Sequence, residues 1–270
     1  KGGNILMNVG PMGNGRWDKR DIEVFQGIGQ WLKVNGESIY GAQRTNLPIQ
    51  PWGVTTLKGD TLYAHVFHWP ADGKLIIGGL RSDIGKGWLV ADKKAAIRFK
   101  RLNADDYELP ANAPDSMNSV IALVLNNRKV PNPIRLIDHK QSNTLYTFDS
   151  ELQGRGLGYG DGKPNCNYVT KWKNTNQWMK WNLRSSAPVE YTVYLDYNTQ
   201  GKNDTGTVVV EIAGQKLEAN YSTYPEQKGT NSLRLGKVKL PKGSFECSLK
   251  GKQYQGSQYM TPIAVRLEKE

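Results

Sequence analysis

Cysteine is almost missing from this chain. Cys166 and Cys247 are the only two in 270 residues. That excludes a disulfide framework and a cysteine zinc site. A single bridge between them and a pair of buried thiols both stay open, with buried thiols the expected case. Histidine is scarce too. His65 and His68 lie three apart on an expected strand, so they point to opposite faces and make a poor metal pair, while His139 stands alone. No apolar run reaches the ~18 residues of a membrane span. The charge is strongly basic, with 36 Lys and Arg against 25 Asp and Glu, a net +11. The basic residues are scattered as singles and pairs (Lys93-Lys94, Lys100-Arg101) rather than gathered into a block. A solvated basic surface is therefore expected, not a nucleic-acid partner.

What is present falls into three stretches and a connector. Residues 1–43 read as one βα unit. Ile5, Leu6, Met7 and Val9 form a short continuous apolar run, the pattern of a strand covered on both faces. A glycine-rich turn follows, then a helix capped by Asp18, with Ile22, Phe25, Ile28 and Leu32 as its buried stripe and Asn35-Gly36 as its end. Such a unit cannot be stable alone. Residues 44–127 alternate and are punctuated by the turn signals Lys58-Gly59-Asp60 and Ala71-Asp72-Gly73-Lys74, as an antiparallel β-sandwich would be; Thr61–Phe67 and Lys74–Gly79 read as hairpin strands. Residues 128–144 carry two prolines and mixed polarity around RKVPNPIRLIDHK, and read as a linker. Residues 145–270 hold a second series of strand candidates (Lys180–Leu183, Tyr191–Tyr197, Val208–Ile212, Lys216–Ala219, Ser232–Lys239, Ser244–Leu249 and Pro262–Leu267) spaced like a jelly-roll sandwich. Within it VEYTVYLDY places Tyr191, Val193, Leu195 and Tyr197 on one face. The expected class is mainly β.

Catalytic patterns are thin. The loop Gly10–Gly15 resembles a phosphate cradle but is followed by Arg16-Trp17 instead of the Gly-Lys-Ser/Thr that a P-loop needs, and it lacks dinucleotide spacing. Asp105-Asp106 read as a solvated turn, and Glu37 follows the helix end; neither looks like half of an acid–nucleophile pair. The aromatic density in NYVTKWKNTNQWMKWN is the most informative local feature. Tyr168, Trp172, Trp178 and Trp181 alternate with amides, and an aromatic plane flanked by amides suits a sugar ring. Trp178 and Trp181, on a strand, are expected in the core. Trp172, beside Asn174 and Asn176, is the candidate sugar platform, with Tyr168 as its neighbour.

GGNILMNVGPMGNGRW followed by IGQWLKVNGESIYGA closely resembles the last strand and helix of the catalytic barrel in α-L-fucosidases of glycoside hydrolase family 29. PWGVTTLKGDTLYAHVFHWPADGKLIIGGL is similar to the start of that family's C-terminal sandwich. More loosely, KWKNTNQWMKWNL, YTVYLDY and LGKVKLPKG resemble jelly-roll carbohydrate-binding modules. The resemblance implies the final βα unit of a (β/α)8 barrel and a retaining hydrolase of terminal α-L-fucose that uses two carboxyl groups and no cofactor. Both carboxylates would lie upstream of Lys1, so this chain is expected to be inactive alone, with the N-terminal catalytic portion of the same protein as partner and a fucosylated glycan as substrate. Asn8, at the strand end, is the one candidate for supporting that distant site. Related modules often hold calcium. Asp149 and Glu151 sit near the first strand, but IAVRLEKE offers no Asp, so no metal is expected. The family implies export to the periplasm, cell surface or exterior, or to a lysosome in a eukaryote. The alternatives are a stand-alone carbohydrate-binding chain and a purely structural pair of β domains.

Overall fold

The computed structural model describes residues 5–70, 72–110, 118–160, 168–198, 203–224 and 229–270. The chain divides into two compact units, residues 1–133 and 134–270. The class is mainly β, with one α-helix among the described residues.

In the first unit the helix α1 spans Lys19–Asn35. Asp18 caps it by accepting a bond from the Arg20 amide, and the Arg20 guanidinium beside it holds the Asp18 carboxyl down at about 2. Nine strands follow: β1 (Gln43–Arg44), β2 (Gly53–Lys58), β3 (Thr61–Val66), β4 (Lys74–Gly78), β5 (Ile84–Leu89), β6 (Asp92–Ala96), β7 (Lys100–Arg101), β8 (Asp106–Pro110) and β9 (Ser119–Leu125). They form a six-stranded sheet in the order β1-β2-β3-β9-β5-β6 and a three-stranded sheet β4-β8-β7. Alternation along β3 explains the layering. Leu62, Ala64 and Val66 join the core with Leu75, Ile77 and Leu109 of the smaller sheet, while Tyr63 belongs to a second cluster with Val90, Val120 and Ala122, against which Trp31 of α1 packs. Both faces of β3 are therefore covered, and the strand reads as a continuous buried run.

Three expectations for this unit are corrected. Ile5–Val9 is not a strand, and Ile5 and Leu6 stand fully in solvent, because no described strand lies beside them to pair with. β3 and β4 are not a hairpin. β3 pairs with β2 and β9, and β4 crosses to the other sheet to pair with β8. Asp106 is not a solvated turn residue. It is buried, accepting bonds from the Gly79 amide and the Asn103 side chain.

The second unit begins inside the segment expected to be a linker. Its strands are β10 (Arg135–Ile137), β11 (Asn143–Tyr146), β12 (Glu151–Gln153), β13 (Gly158–Tyr159), β14 (Val169–Thr170), β15 (Trp178–Ser185), β16 (Val189–Asn198), β17 (Thr205–Ile212), β18 (Gln215–Ser222), β19 (Thr230–Leu240), β20 (Gly243–Gln255) and β21 (Thr261–Glu268). β10 pairs in parallel with β15, and Asp138 and Asn143 exchange backbone and side-chain bonds that close the turn into β11. Those bonds, not hydrophobic length, order the segment, which is why its short strands carried little signal. One sheet runs β10-β15-β20-β17-β18, with β12 also on β15; the facing sheet runs β11-β21-β16-β19. Tyr191, Val193, Leu195 and Tyr197 all enter the core between them, as their alternation requires. The β17–β18 turn is Ala213-Gly214, both at positive φ, the two-residue loop whose twist suits a hairpin.

Candidate functional site

The loop that would face a barrel active site is fully described from Ile5 onward. Asn8 is exposed. The turn beyond it closes by Gly15 N–H donating to the Met12 carbonyl and Arg16 N–H to Asn14 Oδ1, with Gly15 at φ 77°. Nothing among these contacts engages the Asn8 side chain. Along α1 the apolar stripe is split. Ile28, Trp31 and Leu32 are half-buried, whereas Ile22 and Phe25 are exposed at 41% and 39%. The helix is held at its C-terminal half by Trp31 Nε1, which donates to the Asn118 carbonyl at 3.0 Å. Ser38 and Thr56 continue that seam, Thr56 Oγ1 donating to the Ser38 carbonyl at 2.7 Å. Trp31 is the anchor that stripe-reading passed over, since it lies one position off the Ile28–Leu32 line; its size was the available signal.

Under Trp31 lies His65, its ring centroid 6.4 Å away and its Nε2 3.1 Å from Thr56 Oγ1. It is almost fully buried, and burial pushes its pKa down to about 4. His68 is exposed, and His139 Nδ1 sits 2.9 Å from Ser186 Oγ. The three histidines are thus separate structural groups. Of the carboxylates considered, Glu37 pairs with Lys93 and Asp105 with Arg81. Glu151 accepts a bond from Asn182. Among the described residues no three His, Cys, Asp or Glu side chains come together as a metal site.

The aromatic and amide cluster of the second unit is turned inward. Trp172 has no exposed surface. Its ring lies 4.7 Å from that of Tyr259, which in turn lies 4.6 Å from Tyr254. Trp172 Nε1 donates to the Gln177 carbonyl at 2.8 Å. The amides that looked free for a ligand satisfy the loop itself. Gln177 Oε1 accepts from the Lys173 and Asn174 amides, and its Nε2 donates to the Arg155 carbonyl. Asn174 Oδ1 accepts from the Asn176 amide at 3.0 Å. Asn174 and Asn176 are exposed, and Tyr168 is partly buried. The structure therefore corrects the sugar-platform expectation at its centre: Trp172 cannot offer a ring face to a ligand, because Tyr259 and the Gln177 turn enclose it. Trp181 is buried as expected, and Trp178 half-buried. Cys247 is a buried free thiol whose pKa burial drives upward. The question of its pairing with Cys166 lies outside the described residues, as do Asn165 and Asn167.

Comparison with known proteins gives the opening segment its meaning. The family model described as Alpha-L-fucosidase matches residues 1–37. The α-L-fucosidase of Branchiostoma floridae is 42% identical over 84 residues, 30% of this chain and 19% of that protein. The plasma α-L-fucosidase of Homo sapiens is 35% identical over 89 residues, 31% of this chain and 19% of that protein. The matched stretch thus spans about a fifth of the curated relatives. Among solved structures, the α-L-fucosidase from Vibrio sp. strain EJY3 superposes with a TM-score of 0.63 over 97% of this chain and 47% of that one. At 19% identity that likeness establishes a shared fold. The chain is thus similar to α-L-fucosidases over part of its length, with the family model falling on its opening residues 1–37.

Proposed function

We propose that the chain works as the C-terminal portion of an exo-acting, retaining α-L-fucosidase that releases terminal α-L-fucose from glycans, in an exported or lysosomal setting. The chain supplies a barrel-closing segment and two accessory β units, of which the second holds carbohydrate. The catalytic carboxylates come from an N-terminal catalytic portion of the same protein. One observation carries this reading: the segment that matches the fucosidase model also bears exposed apolar side chains, Ile22 and Phe25 on α1 and the run Ile5–Met7 before it in sequence. Exposed apolar side chains gathered on one helix face lose free energy to water until a partner covers them. A retaining mechanism needs two carboxyl groups about 5–5.5 Å apart across the sugar. Glu37 and Asp105 are taken by ion pairs and Asp106 is buried in hydrogen bonds, so none of these three serves that role.

The test is isolation of the protein from its natural source with an antibody to residues 134–270, followed by denaturing gel, intact mass and hydrolysis of 4-nitrophenyl α-L-fucoside. A larger polypeptide that contains or accompanies this chain is expected, with fucose released first as the α anomer. Recovery of this chain alone, with no hydrolysis, overturns the reading.

A further inference from the structure

The second unit carries a built groove far from the Trp172 loop in sequence. It occupies about 430 Å³ on the outer face of β17, β18 and β20, a size in the range of ligand sites. The antiparallel register sets Thr205 abreast of Ser222 and Gln255, and Thr207 abreast of Asn220 and Gln253. Strand alternation puts all six on one face. On the opposite face Gly206 faces Tyr221, whose hydroxyl accepts the Met260 amide at 3.1 Å. A Cβ at Gly206 would fall 2.8 Å from that ring and 2.6 Å from the Gln253 carbonyl, so only glycine lets β17 lie this close over Tyr221. A register shift between Thr207 and Val208 leaves Lys252 unmatched on β20, and Lys252 turns aside to Glu218 at 2.9 Å.

The chemistry of the lining is uncharged and pre-oriented. Thr207, buried at the floor, donates its hydroxyl to Asn220 Oδ1 at 2.8 Å and accepts from Gln253 Nε2 at 3.3 Å. That chain holds both amides still. It leaves Asn220 Nδ2 as a donor and Gln253 Oε1 as an acceptor, on exposed side chains, without a partner among the described residues. The neighbouring cations are already neutralised, Lys252 by Glu218 and Lys250 by Glu211. Tyr224, two residues beyond Ser222, keeps the same alternation: Thr223 is buried and Tyr224 is 57% exposed.

We propose that this groove binds a neutral glycan. The proposal deepens the accessory-module reading of the second unit and rests on it. Sugar hydroxyls both donate and accept, and the groove presents both functions on fixed side chains, so little ordering entropy is lost on binding. An anionic glycan would need an unpaired cation at the floor, and the lining has none.

The experiment uses the full 270-residue chain made in bacteria, so that the Asn220-Tyr-Ser triplet carries no sugar. Mobility is compared in native gels containing fucosylated xyloglucan or galactomannan, and polygalacturonate or a sulfated fucan. Retardation by at least one neutral polymer is expected, with none by the acidic two at physiological salt. Asn220→Ala and Gln253→Ala, both at exposed positions, are each expected to weaken it at least tenfold with an unchanged melting temperature. Trp172→Phe is expected to leave it intact. No retardation by either neutral polymer, retardation by the acidic polymers alone, or indifference to both groove variants overturns the proposal. Fucose release by the natural protein without retardation removes the groove alone. Retardation without fucose release removes the fucosidase reading and leaves the groove standing.

Discussion

Residues 5–35 and the second unit use the same kind of side chain to opposite ends. In the second unit Tyr191, Val193, Leu195 and Tyr197 are all buried between two sheets. In α1 an equally regular stripe leaves Ile22 and Phe25 in water, and only the Trp31 end is held. Periodicity says which face an element wants to hide. It does not say that the chain carries the surface to hide it against. The second unit closes its own core; the opening segment leaves part of its apolar stripe exposed.

Three measurements sharpen that contrast. The largest effect belongs to the closed core. Trp172→Ala is expected to cost about 3–5 kcal/mol, because the cavity left against Tyr259 cannot collapse while the Gln177 turn stays bonded. A calorimetric scan that shows no drop in Tm would mean the ring is not core.

Next comes acid. His65 is held neutral, its pKa near 4 in the fold against an ordinary 6.5. Between those values the unfolded chain binds a proton that the folded chain refuses. Stability of the first unit is therefore complete above about pH 6.5 and falls as pH drops toward 4, by on the order of 3 kcal/mol. Urea midpoints at pH 7.5 and pH 4.5 measure the fall, and His65→Gln is expected to flatten it. An unchanged slope in that variant would place the acid sensitivity elsewhere.

The smallest effect is the most telling for the comparison. Ile22→Ser with Phe25→Ser is expected to shift stability of the isolated chain by no more than about 0.5 kcal/mol, since both side chains already face water. A larger loss in the urea midpoint would mean that the stripe is covered within this chain after all.

Much of the β architecture was legible because it rests on alternation and turn chemistry. Every candidate from Lys180 to Leu267 falls inside an observed strand, usually with one to three residues added at the ends. Lys58-Gly59-Asp60 gave the β2–β3 turn, with Gly59 at φ 55°. What failed depended on partners. The run Ile5–Val9 has strand composition and no strand neighbour among the described residues. Arg135–Ile137 is ordered by β15, some forty-five residues further on, and three residues just after a pair of prolines cannot announce that. The Trp172 loop misled for another reason. Asparagine and glutamine look the same in a sequence whether they await a ligand or stitch their own turn, and here Gln177 does the stitching. The groove was hidden by its ordinariness: Thr205 and Thr207, Asn220 and Ser222, Gln253 and Gln255 are plain outward positions until register brings them abreast.

The place of β21 sets the timing of synthesis. Thr261–Glu268 lies between β11 and β16, pairing with both, so strands first made at Asn143 and Val189 are joined only through it. A ribosome must deliver nearly the whole unit before that sheet can close. Until then the apolar faces of β11 and β16 have no partner strand between them in the nascent chain, the kind of exposed surface that invites aggregation.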